Sequence, residues 1–163
     1  MPNVDFQYVL LGALAITLLV AAFTDIRRRQ IDNWLNLAIA ATAPLFWWAS
    51  GLALWPDIAW QLGLALLTFA ICAGLFAIRA MGGGDVKLLT ALALWLTPAL
   101  FLKLVIIMAL LGGALTLVMA VWHGVRGNRE RLAVPYGVAI SSAGLWVLAN
   151  QFLPGFQAGT LLG

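Results

Sequence analysis

The sequence predicts an all-α, polytopic membrane protein with about six transmembrane helices. Hydrophobic residues make up 64% of the 163 positions and charged residues only 9%, whereas soluble domains have roughly 45–50% and 25%. So few ionisable side chains cannot cover the surface of a globule in water. Lipid is therefore expected to surround most of the chain, as a single transmembrane domain over residues 1–163.

Apolar runs along the chain approach the roughly 20 residues that a spanning helix needs. Positive charge follows the first run, at Arg27–Arg29, instead of preceding it as in a signal peptide. This run is therefore predicted to stay in the membrane. The predicted spans, of which the fourth is short, are Tyr8–Thr24, Trp34–Trp55, Ile58–Ile78, Val86–Thr97, Ala99–Trp122 and Leu132–Leu153.

The positive charges predict how these spans are oriented. Eight of the nine Lys and Arg residues fall in or beside the loops after the first, third and fifth spans, and only Lys103 falls on the other side. Loops rich in Lys and Arg stay in the cytoplasm. Both chain termini are therefore predicted to lie on the outer side of the membrane.

Three of the six acidic residues, Asp25, Asp32 and Asp85, lie at the inner boundary of the predicted spans. Asp25 ends the first helix and Asp85 opens the fourth, and a charge at the edge of the hydrocarbon is costly enough to suggest a function. The preceding Gly82–Gly84 run permits a sharp turn and a close approach of Asp85 to a neighbouring helix. The simpler alternative is that these glycines only join two helices and that Asp85 caps the second.

Two carboxylates from different helices at one membrane depth can share a proton and activate a water molecule between them. A helix dipole is negative at the C-terminal end, where Asp25 lies, and positive at the N-terminal end, where Asp85 lies. This predicts Asp85 as the base and Asp25 as the protonated acid. His123 has no partner set and Cys72 has no neighbouring base, so both are expected to be structural.

Three motifs make the chain recognisable. Asp25–Asn33, with the sequence Asp-Ile-Arg-Arg-Arg-Gln-Ile-Asp-Asn, resembles the Asp-x-Arg-x-x-x-Ile-x-Asn signature of bacterial type IV prepilin peptidases. Gly82–Lys87, with the sequence Gly-Gly-Gly-Asp-Val-Lys, resembles their Gly-x-Gly-Asp-x-Lys motif, which marks the GxGD class of membrane aspartic proteases. Pro135–Gly137 is similar to a Pro-aromatic-Gly segment of that family. The motifs occur in the family's order and span most of the chain.

The resemblance implies that Asp25 and Asp85 are catalytic. Taken alone, Arg27 is more typical of a topology signal, Lys87 of a side chain that reaches the interface, and Asn33 of a helix cap. No metal or cofactor is expected. The residues implied to form active-site loops or to contact substrate are Arg27, Ile31, Asn33, Gly82, Gly83, Gly84, Lys87, Pro135, Tyr136 and Gly137.

The chain also departs from the larger family members. Those carry a cytoplasmic insertion with two Cys-x-x-Cys pairs and also N-methylate the new pilin N-terminus. Cys72 is the only cysteine, so no zinc or methyltransferase domain is expected, and the chain resembles the compact branch that serves tight-adherence (Flp-type) pili. Asp32 stands where the family often has Pro, which adds a carboxylate near the site.

The resemblance implies an aspartic endopeptidase of the bacterial inner membrane that removes the short basic leader of type IV prepilins at the cytoplasmic face. A prepilin keeps its leader in the cytosol and its apolar helix in the bilayer, so its scissile bond lies at the depth of Asp25 and Asp85. The expected partners are the prepilin and the lipid bilayer, and no nucleic-acid partner is expected.

Two alternatives remain at this stage. Presenilin-type and signal-peptide-peptidase-type proteases share the Gly-x-Gly-Asp motif but also have Tyr-Asp and Pro-Ala-Leu motifs. Here Thr24 precedes Asp25, and Pro98–Leu100 follows the fourth span instead of the last. In a non-enzymatic scaffold or small transporter, the aspartates would cap helices or line a path. A path is disfavoured, because neither aspartate lies near the midplane.

Overall fold

A computed structural model of the chain describes residues 3–126 and 136–152. All regular secondary structure in this part of the chain is helical, so the predicted all-α class is confirmed. A short helical segment, Leu54–Ile58, leads directly into the third of the longer helices. These helices are α1 (Val4–Arg28), α2 (Asn33–Ser50), α3 (Ala59–Ala77), α4 (Gly83–Ala93), α5 (Pro98–Arg126) and α6 (Tyr136–Phe152).

Three helical segments of the described chain are long and apolar enough to cross a membrane: Val4–Arg28, Leu54–Ala77 and Pro98–Trp122. The membrane character of the chain follows from these. α4 has 11 residues, which corresponds to about 16 Å of helix against a hydrocarbon core about 30 Å thick. The six helices occur in the predicted order, and the six-span count and the position of the termini stay predictions.

Several helix ends differ from the prediction by a few residues, and two of these differences have a clear local cause. α2 ends at Ser50 rather than Trp55, because Gly51 takes the left-handed conformation at φ 68° and terminates the helix. Glycine adopts this conformation without the steric cost that other residues have. α4 begins at Gly83 rather than Val86, with Gly82 as its N-cap. Two of the three glycines expected in a loop therefore belong to the first turn of the helix.

α4 lies at the centre of the bundle, because it packs against α2, α3 and α6. Its buried residues are Val86, Leu88, Leu89, Ala91, Leu92 and Ala93. Large apolar side chains also cover the outside of the bundle: Leu66 is 71% exposed and Leu110 is 70% exposed. This arrangement suits lipid, since lipid tails are as apolar as leucine and give no reason to hide such residues.

Two tryptophans join α2 to α4. The indole N–H of Trp47 donates to the carbonyl of Leu94 at 2.7 Å, and that of Trp95 donates to the carbonyl of Ile39 at 2.8 Å. The Trp95 ring also stacks on Phe46 with 4.8 Å between ring centroids. A buried indole N–H needs an acceptor, so these two bonds hold α2 against the end of α4.

Candidate active site

Asp25 lies in the last turn of α1 and is only 5% exposed. Its carboxylate contacts the first turn of α6: Oδ2 accepts a hydrogen bond from the Val138 backbone N–H at 3.3 Å, and the Gly137 N–H also donates to it. The first N–H groups of a helix have no partner inside the helix. The start of α6 therefore supplies two donors suited to hold a negative charge on Asp25.

Asp85 is the third residue of α4, next to the N-cap Gly82. The Gly82 N–H donates to its carboxylate, the arrangement by which an acidic residue at this helix position reaches back to the N-cap. A Cβ at Gly82 would lie 2.9 Å from Asp85 Oδ2. Glycine at this position therefore leaves room for the carboxylate to fold back over the end of the helix.

Ile31 lies between the two segments that hold these aspartates. A Cβ at Gly84 would lie 3.2 Å from the Cβ of Ile31, and a Cβ at Gly137 would lie 2.8 Å from its Cδ1. Ile31 is 7% exposed. Because both glycines lack side chains, the loop after α1 packs between the start of α4 and the start of α6. This close approach brings Asp25 and Asp85 to the same place.

A cavity of about 460 Å³ opens at this place. Its lining carries three carboxylates, Asp25, Asp32 and Asp85, and one guanidinium, that of Arg29. The excess of acidic side chains favours a positively charged peptide over an anionic ligand. The rest of the lining is Gln30, Ile31, Asn33, Gly82, Gly83, Gly84 and Tyr136.

The surroundings of Asp85 favour a proton on this residue, which is opposite to the order that the helix ends predict. Asp85 precedes the predicted fourth span and lies outside the three long apolar segments. Burial and the negative charge of Asp25 raise the pKa of Asp85 to about 6, although the hydrogen bond from Gly82 opposes this. The N–H groups at the start of α6 lie beside the Asp25 carboxylate, and the assignment of the shared proton to one member of the pair stays a prediction. The helix-end argument did not include the start of α6, whose Val138 N–H donates to Asp25.

The structure places most of the other predicted residues in two groups. The first supports the cavity wall: Gly83 approaches the Phe76 ring, where an added Cβ would lie 3.3 Å from the ring. Tyr136 lines the cavity, its hydroxyl lies 3.3 Å from that of Thr116, and its ring lies 3.0 Å from the position of a Cβ at Gly112.

The second group links α2 to α4 at the cavity's edge: the Lys87 ammonium donates to the Asn33 side chain at 2.8 Å. Arg27 lies apart from both groups, because its guanidinium lies 4.9 Å from the centre of the Phe23 ring and it does not line the cavity. Arg29 lines the cavity instead. Pro135 lies outside the described residues.

Sequence reasoning missed the backbone donors and two lining residues. Gln30 has no motif that would single it out, and Arg29 is one of three consecutive arginines that appear equivalent in the sequence. The structure distinguishes Arg29 because it ends α1 in the left-handed conformation at φ 53°. Within residues 3–126 and 136–152, no group of three or more His, Cys, Asp or Glu side chains is placed to hold a metal ion.

Comparison with known protein families identifies the family of the chain. The model of the type IV leader peptidase family matches residues 12–117, a segment that contains both Asp25 and Asp85. Neither the curated proteins nor the solved structures contain a significant match. The family match covers well over half of the 163 residues. The chain therefore belongs to the type IV leader peptidase family.

Proposed function

We propose that this protein is an aspartic endopeptidase that removes the leader of type IV prepilins of the tight-adherence (Flp) type. The observation that carries the proposal is the placement of Asp25 and Asp85 in one cavity, each held by backbone N–H groups at a helix start. Family membership supports a peptidase. The aspartic mechanism and the identity of the substrate are the parts that we propose.

In the proposed mechanism the two carboxylates hold one proton between them. Asp25, ionised, takes a proton from a water molecule as the water oxygen bonds to the scissile carbonyl carbon. Asp85, protonated, gives its proton to the carbonyl oxygen, which forms a tetrahedral diol. The carbon–nitrogen bond then breaks, the leaving nitrogen receives the proton held by Asp25, and a diol hydroxyl returns its proton to Asp85 as the new carboxyl group forms. General acid–base catalysis of this kind contributes typically about 10²–10⁴-fold.

The chemistry of the cavity fits a prepilin. Acidic side chains outnumber the single guanidinium in its lining, which favours the basic leader that the family resemblance implies. We propose that the cavity faces the cytoplasm of a bacterial cell, at the inner membrane, with six spans and both termini outside. The support is the charge distribution, since eight of the nine Lys and Arg residues lie on one side under this topology.

The single cysteine supports the compact branch of the family. Cys72 is buried in α3, and one thiol cannot form the paired cysteine motifs of the larger members. We therefore propose leader removal without N-methylation of the new pilin N-terminus.

Co-expression with a prepilin encoded in the same genome tests the proposal. Leader loss is expected as a mobility shift on a gel, with the mature N-terminus located by mass spectrometry. The mass of the mature N-terminal peptide should lack an added methyl group. Failure of the wild-type protein to shorten any prepilin of its genome, while the protein accumulates in the membrane, would contradict the proposal.

A further inference from the structure

A second depression, of about 430 Å³, lies beside the active-site cavity. Residues of α2, α3 and α4 line it, and α4 packs against both of the other helices. In the described chain, α2 and α3 make no extended contact with each other, so the depression stays open between them. We call it the lateral groove. Its lining residues are Asn33, Asn36, Leu37, Ala40, Phe69, Lys87, Thr90, Ala91 and Leu94.

The lateral groove begins at the active-site cavity. Asn33 lines both spaces, and Lys87, hydrogen-bonded to Asn33, lines the groove at the same end. From there, the groove follows α2 from Asn33 to Ala40 and α4 from Lys87 to Leu94, at spacings of three, four and seven residues along both helices. Such a stripe is one helix face about two turns, or roughly 10 Å, long. The groove therefore extends from the reacting centre along the bundle.

Asn36 gives the groove a polar side chain that has no hydrogen-bond partner among the described residues. It is 5% exposed, and neither its Oδ1 nor its Nδ2 has a hydrogen-bond partner in the described protein. An unpaired buried amide is costly, so such a group in a native structure calls for an explanation, and a bound ligand is one. Thr90, another polar residue of the lining, is satisfied, because its hydroxyl donates to the Val86 carbonyl at 2.8 Å.

We propose that the lateral groove binds the first two turns of the substrate's apolar helix, with Asn36 hydrogen-bonding to the peptide backbone at its start. This inference rests on the proposed function. The first N–H groups of any helix lack partners within that helix, so a helix that begins just after the scissile bond brings free donors into the groove. The Asn36 amide offers an acceptor for such an N–H and a donor for a peptide carbonyl.

A lipid chain matches the groove less well. It would fill the apolar stretch formed by Leu37, Phe69 and Leu94, but it has no donor or acceptor for Asn36. A peptide supplies both the apolar side chains and the backbone groups. The groove is also continuous with the active-site cavity, which further favours a peptide. A substrate held at Asp25 and Asp85 must leave the site in some direction. The groove is the direction that begins at the shared Asn33.

Disulfide cross-linking tests the position of the substrate helix. The enzyme is Asp85→Asn, which keeps the substrate uncleaved, with Cys72→Ala and a single new cysteine at position 40 (Ala40→Cys). The substrate is a prepilin of the same genome with single cysteines at successive positions after its cleavage site. Cross-links are expected in a helical period of three to four residues, within about two turns of the cleavage site. Val118→Cys is the matched control, because Val118 is 66% exposed on α5 and lies outside the groove.

The outcomes separate the two proposals. If the wild-type protein cleaves the prepilin but cross-linking at position 40 is absent, aperiodic or no greater than at position 118, the groove inference is overturned and the proposed function stands. If the wild-type protein does not cleave the prepilin at all, the proposed function itself fails.

A kinetic test isolates Asn36. Asn36→Leu should raise KM for the full-length prepilin about 3- to 10-fold, the value of one or two lost hydrogen bonds, with a smaller change in kcat. It should leave unchanged the cleavage of a soluble peptide that contains the leader and the cleavage site but ends before the helix. The free enzyme should lose no thermal stability, because an unpaired polar group is removed. Thr42→Val, on the same helix as Asn36 but outside the groove, should leave KM within about 2-fold. Equal effects of Asn36→Leu on both substrates, or no effect on either, would overturn the inference.

Discussion

The Oδ2 atom of Asp25, at the end of α1, lies 3.3 Å from the backbone nitrogen of Val138, at the start of α6. These residues are 113 positions apart in the chain. With the hydrogen bond from Gly82 to Asp85, both aspartates lie at the N-terminal end of a helix. Free N–H groups and the positive end of the helix dipole stabilise a negative charge there. Backbone N–H groups, together with the Arg29 guanidinium in the same cavity, therefore help to hold the two carboxylates close together.

Replacing either aspartate should abolish cleavage. Asp25→Asn and Asp85→Asn each leave one carboxyl group, which cannot act as base and acid at once, so we expect activity at least about 10²-fold lower. Both proteins should still accumulate in the membrane. Asp32→Asn is the control within the same cavity and should have a smaller effect. Full processing by either of the first two variants would refute the dyad, and an equal loss in Asp32→Asn would mean that the wrong pair was chosen.

A methyl group at Gly137 should inactivate the enzyme. In Gly137→Ala the new Cβ would lie 2.8 Å from both the Asp25 carboxylate and the end of Ile31, so the loop or α6 must shift. Overpacking of this kind costs typically about 1–3 kcal/mol, and the displaced Asp25 should lower kcat more than it raises KM. Gly113→Ala on α5 is the matched control, since nothing lies within 4 Å of its added Cβ. Equal activity of the two variants would show that Gly137 is not a point of close approach.

Infrared difference spectroscopy should show which carboxyl group holds the proton. Burial and the charge of Asp25 raise the pKa of Asp85 to about 6, so its protonated carboxyl band should disappear as the pH rises through about 6. Asp25→Asn removes the neighbouring charge and should move that midpoint to lower pH. Asp85→Asn should lack the band. A band that persists in Asp85→Asn and is absent from Asp25→Asn would reverse the assignment.

Asp85→Asn should make the protein more stable at neutral pH while removing its activity. A carboxyl whose pKa is higher in the folded protein than its ordinary value of 3.8 binds protons more strongly when folded. Raising the pH from 3.8 to about 6 therefore destabilises the fold. The gain in melting temperature, measured in detergent, should be complete above about pH 6 and should shrink as the pH falls toward 4. A gain that is independent of pH would show that charge is not its cause.

Much of the fold could be predicted because lipid imposes a simple rule on sequence. A spanning helix must be apolar along its length, so the long runs that became α1, α3 and α5 were visible without tertiary information. The ends of α2 and α4 were less predictable. Gly51 terminates α2 through its left-handed conformation, whereas Gly83 and Gly84 continue α4 through its first turn. Glycine is compatible with both outcomes, and its neighbours decide between them.

The sequence by itself determined the chemistry that is available: two carboxylates at helix ends, a glycine run before one of them, and a membrane as solvent. Only the tertiary structure decided which backbone groups surround each aspartate. Asp25 ends one helix in the sequence, but in space it also faces the start of α6. Hydrogen bonds and charge interactions depend on the distance between groups in space. Ile31 packs between Gly84 and Gly137 and so sets the distances between groups that are far apart in the chain.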